Sequence, residues 1–239
     1  MSDIANTGER ILIEKETPSM IARHFFAYHF SRGYVEGKKV LDIGCGEGYG
    51  VHYLASLSKE ALGIDYCQEA VIHAKDKYKK TNLRFACLDI NHLDQLSESF
   101  DVICSFQVIE HLDNPHRFLS SVKAKLNKNG VFICSTPNKE DASPGRQTPL
   151  NTFHVKEYGH MEFSDLLGEH FKTIALYGLK RGVRFNFYRR LKKSGLLRFI
   201  PAYVNPVDIF YNQISWSDYM LTIKRVETAL DFIAVCQNT

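Results

Sequence analysis

With 239 residues, 44% hydrophobic and 24% charged, the chain has the size and composition of one large globular domain, or of one domain with an insertion. Its net charge of +3 is too small to argue by itself for nucleic acid or any other charged partner. The six cysteines include no C-x-x-C pair and fall mostly in apolar runs, which excludes a disulfide framework and a zinc ribbon and points to a reducing compartment. The N-terminus lacks a cationic-then-apolar leader, and no apolar run approaches the ~20 residues that span a bilayer. The expectation is a cytoplasmic protein.

Residues 1–16 are mixed and read as irregular. Thr17-Pro18 is a capping residue followed by proline at the first helical position, and predicts a helix to about Arg32 with Met20, Ile21, Phe25 and Tyr28 at helical spacing. Gly33 is expected to end it. His24 and His29 read as packing or surface groups. Residues 1–37 together form an expected N-terminal helical cap.

Lys38 to Gly50, KKVLDIGCGEGYG, organises the chain. Val40, Leu41 and Ile43 form the apolar run of a buried parallel strand. Glycines at 44, 46, 48 and 50 follow, then a helical stretch from Val51 to Leu57. Strand, glycine loop and helix make a nucleotide-type site with backbone N–H groups exposed at the helix start. A dinucleotide fingerprint requires Gly or Ala three residues after Gly46, and Tyr49 stands there instead.

Four further strand signals follow, with helical ones between them. Glu60 to Tyr66 ends in Asp65, about 20 residues past the glycine loop's start, where a nucleotide site places an acid for the ribose hydroxyls. Gln68 to Lys80 is the next helix. Leu83 to Ile90 ends in Asp89-Ile90, and Phe100 to Phe106 leads into Gln107-Val108-Ile109-Glu110-His111-Leu112. Asn114-Pro115 opens a helix that Asn129-Gly130 stops, before a strand from Val131 to Thr136. Repeated strand–helix units predict an α/β fold: a Rossmann-like, seven-stranded, mostly parallel sheet with helices on both faces. Asp42 with Gly44, Asp65, Asp89 and Gln107 then all lie at strand carboxyl ends, where such sheets bind ligands.

Residues 139–153 read as a polar loop, and an amphipathic helix carries Phe163, Leu166 and Leu167. Strands are expected at Lys172 to Leu179 and Leu230 to Gln237. The core is therefore 38–179 plus 226–239, and 180–225 is a helical insertion between the last two strands. From Phe171 to Val207 there is no Asp or Glu, while nine Lys or Arg residues alternate with aromatic and aliphatic ones. Such a segment suits a lid for an anionic substrate, an amphipathic contact with an anionic membrane through 180–200, a solvated basic face or, last in order, a nucleic-acid contact.

The D-x-G-x-G-x-G form of Asp42 to Gly48 resembles motif I of the class I S-adenosylmethionine-dependent methyltransferases. Gln107 to Leu112 resembles the segment after strand four in the subgroup that includes the ubiquinone-biosynthesis O-methyltransferases. Asn151-Thr152-Phe153-His154, with Glu157-Tyr158, is similar to methyltransferases of bacterial surface-polysaccharide clusters, which usually carry N-P-F-H; Thr152 departs from that. The resemblance implies S-adenosylmethionine as cofactor, held by Asp42, Gly44, Cys45, Gly46, Asp65, Tyr66, Asp89, Ile90 and Gln107. Within it, Asp65 takes the ribose, Asp89 faces the adenine amino group, Ile90 packs on the ring and Gln107 sits beside the methionine part. It also implies a hydroxyl acceptor on a small molecule or a nucleotide- or lipid-linked sugar, with the basic insertion holding its phosphate. A quinone-like or lipid acceptor at a membrane and a non-catalytic binding module remain the alternatives. His154 is the first candidate base and His111 the second, because imidazole titrates near neutral pH. Glu110 and His111 could instead only brace their loop. No metal is expected, since no His/Asp/Glu cluster shows ligand spacing along the chain.

Overall fold

The computed structural model describes residues 13–238. A single sheet of eight strands runs in the order β3-β2-β1-β4-β5-β8-β6-β7. The parallel half comprises β1 (Lys39–Ile43), β2 (Glu60–Asp65), β3 (Leu83–Cys87), β4 (Phe100–Phe106) and β5 (Leu126–Pro137). β6 (Thr173–Arg181) and β8 (Asp231–Gln237) extend it, with β8 antiparallel to both β5 and β6. The expected sheet of seven gains one member. β7 (Tyr219–Thr222) lies inside the insertion and pairs antiparallel with β6. Its four residues are too few to show a period of two in the sequence.

Strand alternation builds a core on each face. Leu41, Ile43, Leu62, Ile64 and Ile103 pack with α4 (Pro115–Lys125) and α6 (His160–Gly168). Val40, Val102 and Ile133 face the other way, against α1 (Pro18–Val35) and, from the insertion, α7 (Val183–Ser194) and α8 (Pro206–Asn212). α2 (Tyr49–Leu54) and α3 (Gln68–Lys77) bury Val51, Val71 and Ala74 on Ala61 and Phe85. A short helix, α5 (Lys139–Ala142), interrupts the expected polar loop.

Several element ends differ from expectation. α1 runs through Gly33 to Val35, because the chain turns only at Gly37, in the left-handed region at φ +68°. Asn129-Gly130 does not separate α4 from β5. The strand begins at Leu126, and its register against β4 shifts between the Phe100 and Val102 pairs, with Asn129 at φ +62°. Among the described residues, no helix is long and apolar enough to cross a membrane.

Of the described glycines, the most tightly packed is Gly50, where α1 meets α2. Tyr28 lies over Gly50, where an added Cβ would sit 1.9 Å from Tyr28 Cζ. Gly50→Ala is therefore expected to destabilise the protein by about 1–3 kcal/mol by overpacking. Gly33 faces open space inside α1, so Gly33→Ala is expected to stabilise by about 0.5–1 kcal/mol. Urea denaturation of the two variants checks both signs.

Candidate functional site

A cavity of about 700 Å³ opens at the carboxyl ends of β1, β2, β4 and β5, within the range of small-molecule sites. Its floor is the glycine loop. The N–H groups of Gly44 and Cys45 both donate to the Ile64 carbonyl, at 2.9 and 3.0 Å, so the loop folds back over β2. Gly44 has φ +76°, and a Cβ there would meet Val108 Cγ2 at 2.5 Å. Only glycine fits that combination of conformation and contact. Asp65 completes the floor. One carboxylate oxygen accepts from Gly46 N–H and the other from Cys67 N–H, each at 2.9 Å. These two backbone donors orient the carboxylate and leave acceptor capacity on both oxygens, at the cavity wall.

Of the other expected binding residues, Gly44, Cys45, Gly46, Tyr66, Asp89, Ile90 and Gln107 all line the cavity. Asp89 caps the turn Ile90–Gln95 by accepting from Asn91 N–H at 2.8 Å. Gln107 holds a left-handed backbone at φ +55°, rare for a side-chain-bearing residue, and donates through Nε2 to Ser135 Oγ at 3.2 Å. Asp42 is the exception. It is fully buried beneath the floor, not at its surface. Tyr28 donates to its Oδ2 at 3.1 Å, while Oδ1 has no hydrogen-bond partner among the described residues. Burial, partly offset by the Tyr28 bond, raises the Asp42 pKa to about 7.

The facing wall comes from residues distant in sequence. His154 Nδ1 donates to Glu157 Oε1 at 2.8 Å, and Nε2 accepts from Asn151 Nδ2 at 2.9 Å. The Asn151 amide is oriented independently, since its oxygen accepts from Phe153 N–H at 3.0 Å. The imidazole is thus held as the Nδ1–H tautomer with its lone pair on Nε2. His111 donates from Nδ1 to the Phe153 carbonyl at 2.9 Å, and its ring stands edge-on to His154 at 5.0 Å. Glu110 braces this wall. Its carbonyl accepts from Val155 and Lys156, and its side chain accepts from Thr136 Oγ1 at 3.0 Å. Burial lifts its pKa to about 8.

The expectation that no metal is used rested on spacing along the chain; folding groups some of these residues in space. Glu110, His111 and His154 bring donor atoms within 4.8 Å of one another, a spacing that suits a cation. Residues 110–111 meet 154 only because the segment before α6 returns to the tip of β4, so chain spacing carried no trace of the group. His116, Glu169 and His170 form a similar group on the surface.

α1 was legible as a helix but not as a wall. Met20, His24 and Tyr28, spaced by one helical turn, line the cavity together with Arg23. That shared face was the available signal. Burial lowers the His24 pKa to about 4, leaving it neutral at physiological pH. Arg23 is tied to Asp231 through Nε and Nη2, which pins α1 to the start of β8. The basic insertion, expected as a lid, contributes nothing to the cavity lining, which includes no residue between 180 and 225. Its apolar side is spent packing on α1 and the sheet.

A family model described as a methyltransferase domain matches residues 21–182. A probable S-adenosylmethionine-dependent methyltransferase of Mycolicibacterium smegmatis is 38% identical over 162 residues, covering 67% of this chain and 62% of that protein. A ubiquinone biosynthesis O-methyltransferase of Glaesserella parasuis is 36% identical over 110 residues, covering 43% of this chain and 47% of the relative. The chain thus spans less than two thirds of the length of these curated relatives. Among solved structures, the N-methyltransferase NodS of Bradyrhizobium japonicum, in complex with S-adenosyl-L-homocysteine, shares the fold. Its TM-score is 0.61 at 18% identity, covering 94% of this chain and 89% of that one.

Asp42 and Glu110 hold their protons more tightly folded than unfolded, so their contribution to stability is fully present below pH 4 and is lost as pH rises toward about 7 and 8. His24 has the opposite slope, but only below its unfolded value of 6.5. Between pH 6.5 and 8, stability in urea is therefore expected to fall as pH rises, and Glu110→Gln is expected to flatten that slope.

Proposed function

From the premise that this chain belongs to the class I S-adenosylmethionine-dependent methyltransferases, we propose that it methylates a hydroxyl oxygen of a small molecule or of a nucleotide- or lipid-linked sugar. Its cofactor is S-adenosylmethionine, which supplies an already activated methyl group on sulfur. The fit rests on the floor of the cavity. A backbone-oriented carboxylate at Asp65 suits two ribose hydroxyls, Ile90 offers an apolar surface beside Asp89 for a base, and Gln107 sits at the tip of β4. The acidic lining, Glu47, Asp65, Asp89 and Asp141 included, complements a cationic donor.

The observation that carries an oxygen acceptor is the His154–Glu157 pair on the facing wall. Glu157 is buried and accepts from Nδ1–H, which orients the ring and leaves the Nε2 lone pair turned to the cavity wall. Asn151 occupies that lone pair in the resting chain, and an acceptor hydroxyl would take its place. His154 Nε2 would take the hydroxyl proton as the acceptor oxygen bonds to the methyl carbon, and the bound donor would supply that methyl and leave as its neutral thioether. Holding acceptor and methyl in line is worth about 7–11 kcal/mol.

Asp65→Ala is expected to weaken S-adenosylmethionine binding roughly 10–100-fold by calorimetry, the scale of lost charged hydrogen bonds. His154→Gln is expected to lower kcat by about 10²–10⁴-fold while leaving donor affinity unchanged. Labelled-donor assays across sugar nucleotides, lipid-linked sugars and hydroxylated aromatics read out the acceptor. Tight donor binding without transfer to any of them would make the chain a binding module. Assays with and without a chelator separate His154 acting as a base from His154 acting as a cation ligand.

A further inference from the structure

The insertion packs one side on the core and leaves an apolar tip in water. α7 buries Phe185 and is followed by a compact loop, closed by Asn205 Nδ2 donating to the Leu197 carbonyl at 2.8 Å. Within that loop Leu196 is 75% exposed, Phe199 82% and Tyr203 82%, with Ile200 and Val204 also exposed. Large apolar groups concentrated this way are costly in water and mark an interaction surface. Arg189, Arg190, Lys193 and Arg198, all exposed, surround them. No acid occurs from Phe171 to Val207. Asp218, the nearby acid that meets this helix, lies 3.6 Å from Arg184 and is buried.

We propose that loop 196–204 and the basic face of α7 dock on an anionic lipid bilayer, with Leu196, Phe199 and Tyr203 entering the headgroup boundary. Charge complementarity selects this occupant. A second copy would bring the same cationic patch against itself. A nucleic acid would use the cations but gain nothing from exposed Leu196, Ile200 and Val204. Aliphatic and aromatic groups ringed by Lys and Arg are what an anionic interface rewards.

The placement has a consequence for the cavity. Asp231 pairs in register with Pro137 at the end of β5 and with Leu179 near the end of β6. β6 therefore delivers the insertion at the same end of the sheet as the cavity. Arg181 lies within electrostatic reach of Arg23 and Asp141, both of which line that cavity. A docked insertion brings the mouth close to the bilayer, so the acceptor class narrows to a hydroxylated headgroup on a lipid anchor, its phosphate held outside the cavity by the basic face. This narrowing rests on the methyltransferase reading; the docking does not.

The test is co-sedimentation of the full chain with vesicles of phosphatidylcholine alone and of phosphatidylcholine mixed with phosphatidylglycerol. Binding is expected only to the mixed vesicles and is expected to fall with added salt. The triple variant Arg189→Ala, Arg190→Ala, Lys193→Ala should bind roughly a hundredfold more weakly. The variant Phe199→Ser, Tyr203→Ser should lose binding while melting like the parent, since both side chains are exposed. Equal binding to neutral vesicles, no binding to either kind, or a dimer that the Phe199/Tyr203 variant dissolves would each overturn the proposal. Donor affinity measured by calorimetry on the same samples tells a failure of docking from a failure of the methyltransferase reading.

Discussion

The site depends on how closely α1 can approach the glycine loop. Tyr28 occupies the space that a side chain at position 50 would fill, and from there its hydroxyl reaches Asp42 under the floor. That one contact holds three things together: the helix that walls the cavity, the start of α2, and a carboxyl group buried at the root of the loop. Asp42 tolerates its burial because the Tyr28 bond partly offsets the desolvation that lifts its pKa. Nearer the start of α1, the paired Arg23 and Asp231 fix the same helix to β8. α1 is thus clamped to both halves of the sheet.

Charge is sorted by position. The cavity lining is acidic, with Arg23 already bonded to Asp231, whereas the insertion outside it is cationic. Under the proposed function, that separation would suit a cationic donor and a phosphate-bearing acceptor. Acids near the floor would stabilise a positive methyl donor without repelling a phosphate bound at the insertion. Had the basic residues lined the cavity, they would have opposed the donor. The insertion's aromatic residues explain why they do not. Phe185, Phe210 and Tyr219 are needed to cover the sheet beside α1, and this anchors the segment flat on one face.

The facing wall is a chain of oriented groups. Glu110, neutral because it is buried, takes a hydrogen bond from Thr136 and holds the segment 151–157 through its backbone carbonyl. That segment then presents Asn151, His154 and Glu157 in one fixed arrangement. Each group is set by its neighbour, so the imidazole tautomer at the cavity wall follows from backbone contacts several residues away.

What the sequence determined by itself was local. The alternation and length of the apolar runs marked the strands, and the glycine spacing with Asp42, Asp65 and Gln107 marked the nucleotide-type floor, because these depend on short-range periodicity and on conformations open to glycine alone. Tertiary structure decided which of those residues line the cavity. It put Asp42 beneath the floor, turned Met20, His24 and Tyr28 into a wall, joined Glu110 and His111 to His154, and kept residues 180–225 out of the cavity. It also made a strand of Tyr219–Thr222, whose pairing with β6 outweighs any preference four residues express alone. The reason is the same in each case: these outcomes come from contacts between segments far apart in the chain, and no spacing within a segment encodes them.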